Sequence, residues 1–452
     1  MEKLINSIVK HSDFYRSKEL SIVEIHECKR RLIDVIACGL AAFNEPTVSI
    51  SRDLASRYQL SSRLNFPNVL GASLNVSTEM AAFSNAFGIR YFDGADTFPG
   101  GGGHPSDCWA GLIALAQQEN LDFKSLFKSI LLAYDVFYEL FKASNLREKN
   151  IDNAFYVTLA TAVGASHMLG LNAEKFSNAI SLAIVPNVTL GVARTGRLSM
   201  WKAGASANAV RNGLFAAIMA KEGLTGPELP FSGERGLFSI GSIFDIDFQG
   251  SIHRPRVFDA HMKRYLCDYH SQVPIDVAIE LHSKIDLSEI VKVEVSTYWF
   301  AWNEVASDPS KWRPRNRETA DHSLPWIVSA VLIDGVFSES IFSSARFDDH
   351  QVIELCSRVE VKEDPFLSSQ FPSRMPCIIK VYMKDGLFVE ATADLPCGHP
   401  QMPLSDADLE SKFFALAQQS ITFEQAQKLL TSLWGVNSAE STRDLFNHCH
   451  VN

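Results

Sequence analysis

Apolar residues recur at helical spacing through the first half of the chain. Over residues 22–42 they fall at Ile22, Ile25, Leu32, Val35, Ile36 and Leu40, as one buried helix face requires. The same pattern predicts helices over 81–91, 105–119, 123–141, 154–169, 173–184 and 203–222. Pro105 opens one of them, where its missing N–H costs nothing. Gly223 closes the last. After about residue 265 the period changes. Residues 291–298 (VKVEVSTY) alternate with period two, as a half-buried strand does. Residues 377–384 and 387–393 flank Asp385-Gly386, a hairpin turn signal. Helical spacing returns at 275–282, 324–332, 405–419 and 423–434. The expected fold class is mainly α with an α+β part. A large all-helical domain would occupy 1–264 and be completed by 405–452. A smaller α+β domain would occupy 265–404.

Composition narrows this picture without changing it. A chain of 452 residues is long enough for two cores. The hydrophobic fraction of 46% and charged fraction of 21% exclude a disordered chain. No apolar stretch approaches the ~18 residues of a membrane span, and the run over 182–192 is interrupted by Pro186 and Asn187. The net charge of -10 disfavours nucleic acid and anionic membranes as partners. The eight cysteines form no CxxC pair and no zinc spacing, which predicts reduced, mostly buried thiols. The first twenty residues lack an apolar signal region, and Glu2, Asp13 and Glu19 come too early for a transit peptide. A cytoplasmic location is expected.

Four segments carry candidate chemistry. The first is DGADTFPGGGGHPSD, residues 93–107. Its four glycines permit close backbone approach to a ligand, and a helix start follows, where unpaired N–H groups attract anions. Asp93, Asp96, Thr97 and His104 supply acid–base groups and a hydroxyl. The plainer alternative is a glycine-rich turn with Ser106 or Asp107 capping the next helix. Neither a phosphate-binding lysine nor a preceding strand accompanies the glycines, so nucleotide-binding loops are excluded. The second is a stretch from Phe176 to Lys221 with no Asp or Glu but with Arg194, Arg197, Lys202, Arg211 and Lys221. Such a field suits a polycarboxylate or phosphate; alternatively, these cations pair with acids elsewhere. The third, AHMKRYLCDYHSQ, brings His261, Lys263, Tyr269 and His270 to the expected domain junction. The fourth, ETADHSLPW, places Asp321, His322, Ser323 and Trp326 before an apolar helix, where Asp321 or Ser323 is a candidate cap.

Taken in order, the blocks DGADTFPGGGGHPSD, RLSMWKAGASANAVRNGLFAAIMAKEGLTGP, KRYLCDYHSQ and RETADHSLPW resemble the MmgE/PrpD family of 2-methylcitrate dehydratases and cis-aconitate decarboxylases. The resemblance implies a large helical domain formed by both chain ends, an α+β lid and a homodimer. It also implies a site without an iron–sulfur cluster, and no metal, flavin or nicotinamide motif is visible; no cofactor is expected. Asp93, Thr97 and His104 match the family's first active-site loop, and Lys263 matches a lysine at the entry to the lid. Arg90, Lys202 and His270 resemble the dehydratase branch, and Arg211 falls where some members are basic. Two positions depart from the family pattern. Asn153 stands where a histidine is usual, and Trp326 where a tyrosine is usual. Neither replacement exchanges a proton near neutral pH.

These residues define an expected reaction on a small polycarboxylate. His104 moves the proton, Asp93 orients it, Thr97 holds a substrate oxygen, and Lys263 stabilises developing carboxylate charge. Arg90, Lys202, Arg211, His270, Asn153 and Trp326 would contact substrate. Dehydration of 2-methylcitrate or a longer 2-alkylcitrate is the first expectation. Decarboxylation of cis-aconitate or epimerisation of a dicarboxylate, and a catalytically weak polycarboxylate-binding homologue, are the alternatives.

Overall fold

The computed structural model describes residues 1–60 and 67–451. The chain divides into two compact units. The first comprises Met1–Arg194, Trp201–Ala260 and Ser405–Asn452, and the second comprises Thr195–Met200 and His261–Leu404. The boundary therefore lies at Ala260/His261, four residues before the expected one, and six residues of the basic segment belong to the second unit.

The first unit is helical. In chain order it contains α1 (Lys3–Ser17), α2 (Ile22–Ala41), α3 (Pro46–Ser56), α4 (Thr78–Tyr91), α5 (Cys108–Gln118), α6 (Phe123–Ala143), α7 (Ala154–Met168), α8 (Ala173–Ile184), α9 (Trp201–Lys221) and α10 (Gln249–His253). Capping sets several starts. Ser21 and Glu24 form a reciprocal capping box on α2, and the Asp122 carboxylate accepts from the Ser125 N–H of α6 at 2.8 Å. Helices α4, α5 and α7 are buried almost all round, as the absence of a polar stripe in their sequences demands. They surround α9, whose glycines and alanines allow α7 to approach closely.

The second unit contains α11 (Gln272–His282), β1 (Ile290–Thr297), α12 (Trp299–Val305), α13 (Arg317–Ala320), α14 (Leu324–Asp334), α15 (His350–Ser357), β2 (Val359–Glu363), α16 (Pro365–Ser368), β3 (Cys377–Met383) and β4 (Phe388–Ala393). The sheet order is β2-β1-β3-β4, with β1–β2 parallel and the other pairs antiparallel. Val293, Val295, Ile379 and Val381 point to a core shared with Leu281 of α11 and Ile327 and Val331 of α14. The opposite face carries Lys292, Glu294, Glu360, Lys380 and Glu390 in ion pairs. This is the alternation that the sequence of β1 displays. The fold is mainly α with an α+β part.

The chain then re-enters the first unit as α17 (Asp406–Ala417) and α18 (Phe423–Gly435), both packed on α2. Lys412 of α17 pairs with buried Asp34 of α2 at 2.6 Å and donates to the Gly94 carbonyl at 2.8 Å. Among the described residues, no single helix is long and apolar enough to cross a membrane. The eight cysteines are free thiols; Cys397 is half-buried and the others are buried.

Candidate functional site

The glycine-rich loop of the first unit is a closed structure. It leaves α4 through Asp93, which adopts a positive φ of 56°. Phe98 and Gly103 then pair across it, with N–H···O distances of 2.8 and 3.2 Å. The Thr97 hydroxyl donates to the Gly103 carbonyl at 3.0 Å, so its hydrogen is committed to the loop and its lone pairs are what it offers a ligand. Gly103 has a φ of 89°, and a Cβ there would lie 2.6 Å from Cγ of Asn153. Asn153 therefore covers the backbone beside His104, and a larger side chain at 103 would displace it.

His104 emerges from this loop with its tautomer fixed. Its Nδ1 lies 2.8 Å from the Asp96 carbonyl oxygen. A carbonyl only accepts, so Nδ1 carries a hydrogen and Nε2 is the unprotonated nitrogen of the neutral ring. Nε2 is 3.3 Å from Oδ1 of Asp93. A proton arriving on Nε2 thus meets a carboxylate immediately. Asp93 in turn pairs with Arg90 of α4 through Nη1. All three side chains are buried.

A second layer holds the Asp96 backbone in place. Asp96 Oδ2 accepts from Arg31 Nη1 at 3.0 Å and from the Tyr134 hydroxyl at 2.8 Å, and its Oδ1 faces the Ser106 N–H at 3.2 Å. Burial raises the Asp96 carboxyl above its ordinary range, while Arg31, Tyr134 and Ser106 pull it down. Arg31 also donates to the Val257 and Ala260 carbonyls, both at 3.0 Å, tying α2 to the segment that ends the unit.

The basic segment does not stay together. Arg194 pairs with Asp152 at 3.0 Å and donates to the Lys202 carbonyl. Lys221 pairs with Glu119 at 2.9 Å. Lys202 is buried in the first turn of α9. Arg211 is nine positions further, roughly 13 Å along the helix. There it bonds to Asn208 and Asn212 and lies over the Phe83 ring. Arg211 thus sits against Phe83 of α4.

In the second unit, Lys263 is fully buried and donates to the Cys267 carbonyl at 3.1 Å. The His270 backbone N–H donates to Asp268 Oδ1 at 2.8 Å, and its Nδ1 lies 2.5 Å from the Tyr298 hydroxyl. The Asp268 N–H donates to the Asp321 carbonyl at 2.9 Å. His322 Nδ1 lies 2.7 Å from Asp321 Oδ1, and its Nε2 is 3.7 Å from Asp268 Oδ2. Burial alone would raise the Asp268 carboxyl, yet His270, His322 and Lys263 hold it down at about 2. The blocks around 263–272 and 318–326 thus build one polar cluster. Trp326 is outside it. The ring is buried in the hydrophobic core, where its indole N–H donates to the Ile341 carbonyl at 3.0 Å. The helix phase of α14 turns it inward. Ser323, not Asp321, caps α14.

Sequence reasoning assigned no role to Arg31, Tyr134, Asp268 or Tyr298. Arg31 had a signal: it lies within the otherwise apolar stripe of α2, and a buried charge implies a buried partner. Tyr134 and Tyr298 had none, since aromatic residues fill cores routinely.

The MmgE/PrpD N-terminal domain matches residues 8–245, and the MmgE/PrpD C-terminal domain matches residues 265–435. A 2-methylcitrate dehydratase of Salmonella typhi is 25% identical over 444 residues, covering 90% of this chain and 88% of that protein. The 2-methylcitrate dehydratase of Escherichia coli O157:H7 is 24% identical over 453 residues, covering 92% and 90%. The human cis-aconitate decarboxylase is 24% identical over 432 residues, covering 90% and 86%. Dehydratases and decarboxylases of this kind are lyases. On both domain matches, the chain belongs to the MmgE/PrpD family.

Proposed function

We propose that this protein is a cofactor-independent hydro-lyase that dehydrates 2-methylcitrate, or another 2-alkylcitrate, to the corresponding cis-aconitate. The observation that carries this reading is His104, a buried imidazole whose Nδ1 is held by the Asp96 carbonyl and whose Nε2 faces Asp93. In the proposed reaction Nε2 takes a proton from the substrate carbon next to a carboxylate. Asp93 stabilises the imidazolium, and Arg90 keeps Asp93 in place. The C–O bond then breaks, and the hydroxide leaves as water by taking that proton from the His104 imidazolium, which returns to its neutral form. Thr97 accepts a hydrogen bond from a substrate hydroxyl. Lys202 is assigned to a substrate carboxylate. Asn153 lines the loop as a neutral contact, where a histidine would have added a titrating group.

Decarboxylation of cis-aconitate is the second reading, favoured by the human relative. Incubation with 2-methylcitrate, citrate and cis-aconitate separates the two. Rising ultraviolet absorbance from a new conjugated double bond marks dehydration, and released carbon dioxide marks decarboxylation. His104→Ala should lose at least ~100-fold in kcat with unchanged circular dichroism. Near-normal turnover in that variant would remove His104 from the mechanism. Thermal stabilisation by these acids without turnover would favour a binding role. A homodimer is proposed as the assembly.

A further inference from the structure

Asp107 occupies the position of a helix cap but does not cap. It stands immediately before α5, yet no N–H of that helix bonds its side chain. No hydrogen bond of good geometry reaches either carboxylate oxygen among the described residues, although the Ser206 hydroxyl is near enough to favour the charged form, and the residue is 1% exposed. A buried carboxyl in this condition is costly unless it is neutral or faces a cation. It faces one. Arg90 Nε lies 3.8 Å from Asp107 Oδ2, while Nη1 of the same guanidinium pairs with Asp93. Asp93 Oδ1 is the atom that faces Nε2 of His104. Two buried carboxyl groups therefore share one guanidinium, and only one of them touches the imidazole.

We propose that Asp107 is a positioning residue for proton transfer at His104, acting through the Arg90 guanidinium that it shares with Asp93. This rests on the reading of His104 as the proton-transfer group. With a proton on Asp107, the charge of Arg90 serves Asp93 alone. With Asp107 ionised, Arg90 is divided between two carboxylates, Asp93 is less neutralised, and a proton on His104 Nε2 is held more firmly. The Asp107 proton comes from and returns to solvent, and takes no part in the substrate's bond changes.

The surroundings allow that ionisation near neutrality. Burial pushes the Asp107 carboxyl up to about 6, against Arg90, the Ser206 hydroxyl and Arg194; Asp96 adds to the rise. The turn that carries Asp107 packs against α4, α5, α6, α7 and α9. Their charged or titratable groups on this side are Arg90 on α4, Cys108 on α5, Tyr134 on α6 and Lys202 on α9. Asp152 precedes α7 and holds Arg194, and Asp93, Asp96 and His104 complete the loop.

The test uses the full chain labelled at histidine Cε1 with carbon-13. The His104 resonance is identified by its loss in His104→Gln, and its titration midpoint is compared between wild type and Asp107→Asn. The expected result is a midpoint lower by about half a pH unit or more in Asp107→Asn, and no such difference in an Arg90→Gln background. An unchanged midpoint overturns the proposal, as does a drop that persists without Arg90. If Asp107→Asn does not fold, Asp107→Ser supplies the same neutral comparison. The second readout is the pH profile of 2-methylcitrate turnover from pH 5 to 8. Asp107→Asn should flatten the change centred near pH 6, with KM moving less than about threefold, and Asp107→Glu should restore it. Absence of turnover in wild type would defeat the dehydratase reading, while the resonance titration would still decide the role of Asp107.

Discussion

His104 and His167 show at the residue scale how surroundings assign opposite tasks to one side chain. His104 has a carbonyl at one nitrogen and a carboxylate at the other, so a hydrogen on either nitrogen meets an acceptor. His167 has its Nδ1 2.9 Å from the Ser12 hydroxyl, and burial, with Arg16 and Lys128 nearby, lowers it to about 3. The unfolded chain takes up that proton near 6.5. Below that pH the unfolded state binds a proton that the folded state refuses. Stability is therefore full above pH ~6.5 and falls as the pH drops toward 3, by up to a few kcal/mol. His167→Asn keeps a partner for Ser12 and does not titrate. Its melting temperature should fall less than that of wild type between pH 7 and pH 4.5. Parallel curves would show that another group carries the acid sensitivity. Only part of this chemistry was legible in the chain. The loop 93–107 was, because carboxylates, threonine, glycines and histidine fall within fifteen residues. Asp107 was not: before a helix, an aspartate that caps and one that is buried uncapped have the same sequence.

Among the elements, the tightest constraint is the approach of α7 to α9. A Cβ at Gly213 would lie 2.2 Å from the Thr158 carbonyl oxygen. Helix propensity alone predicts that Gly213→Ala stabilises the protein by about 1 kcal/mol. Packing predicts the reverse: the added methyl meets backbone, the helices must separate, and about 1–3 kcal/mol is lost. Urea melts would decide the sign, and a stabilised variant would refute the close approach. Gly386 offers a contrast. It turns the β3–β4 hairpin with φ at 83° and open space around it, so Gly386→Ala should lose only about 1 kcal/mol, from strain. The hairpin was readable because Asp385-Gly386 is a local signal. Helices α1 and α3 and strand β2 were not anticipated. α1 mixes polar residues among its buried ones, and β2 is five residues long at the edge of the sheet, too short for a clear period. The Arg31 bonds to Val257 and Ala260, which close the first unit, are long-range and leave no local trace.

For the molecule as a whole, the distribution of exposed apolar surface bears on assembly. A net charge of -10 keeps copies of the chain apart at long range, so association needs an apolar face. The first unit has one. Val185, Val188, Leu229 and Ile240 line a groove of about 360 Å³, and Leu190 and Ile243, 65% and 83% exposed, lie on neighbouring segments of the chain. Monomeric proteins seldom leave so many large apolar side chains in water on adjoining segments. If the proposed homodimer forms through this face, sedimentation equilibrium should give twice the chain mass of 50.2 kDa. The pair Leu229→Asp and Ile240→Asp should return it to the single-chain mass without altering circular dichroism. A wild-type monomer would exclude the dimer. A dimer that survives both substitutions would place its interface elsewhere, because two buried, unpaired carboxylates in a contact of this size cost more than the contact can supply.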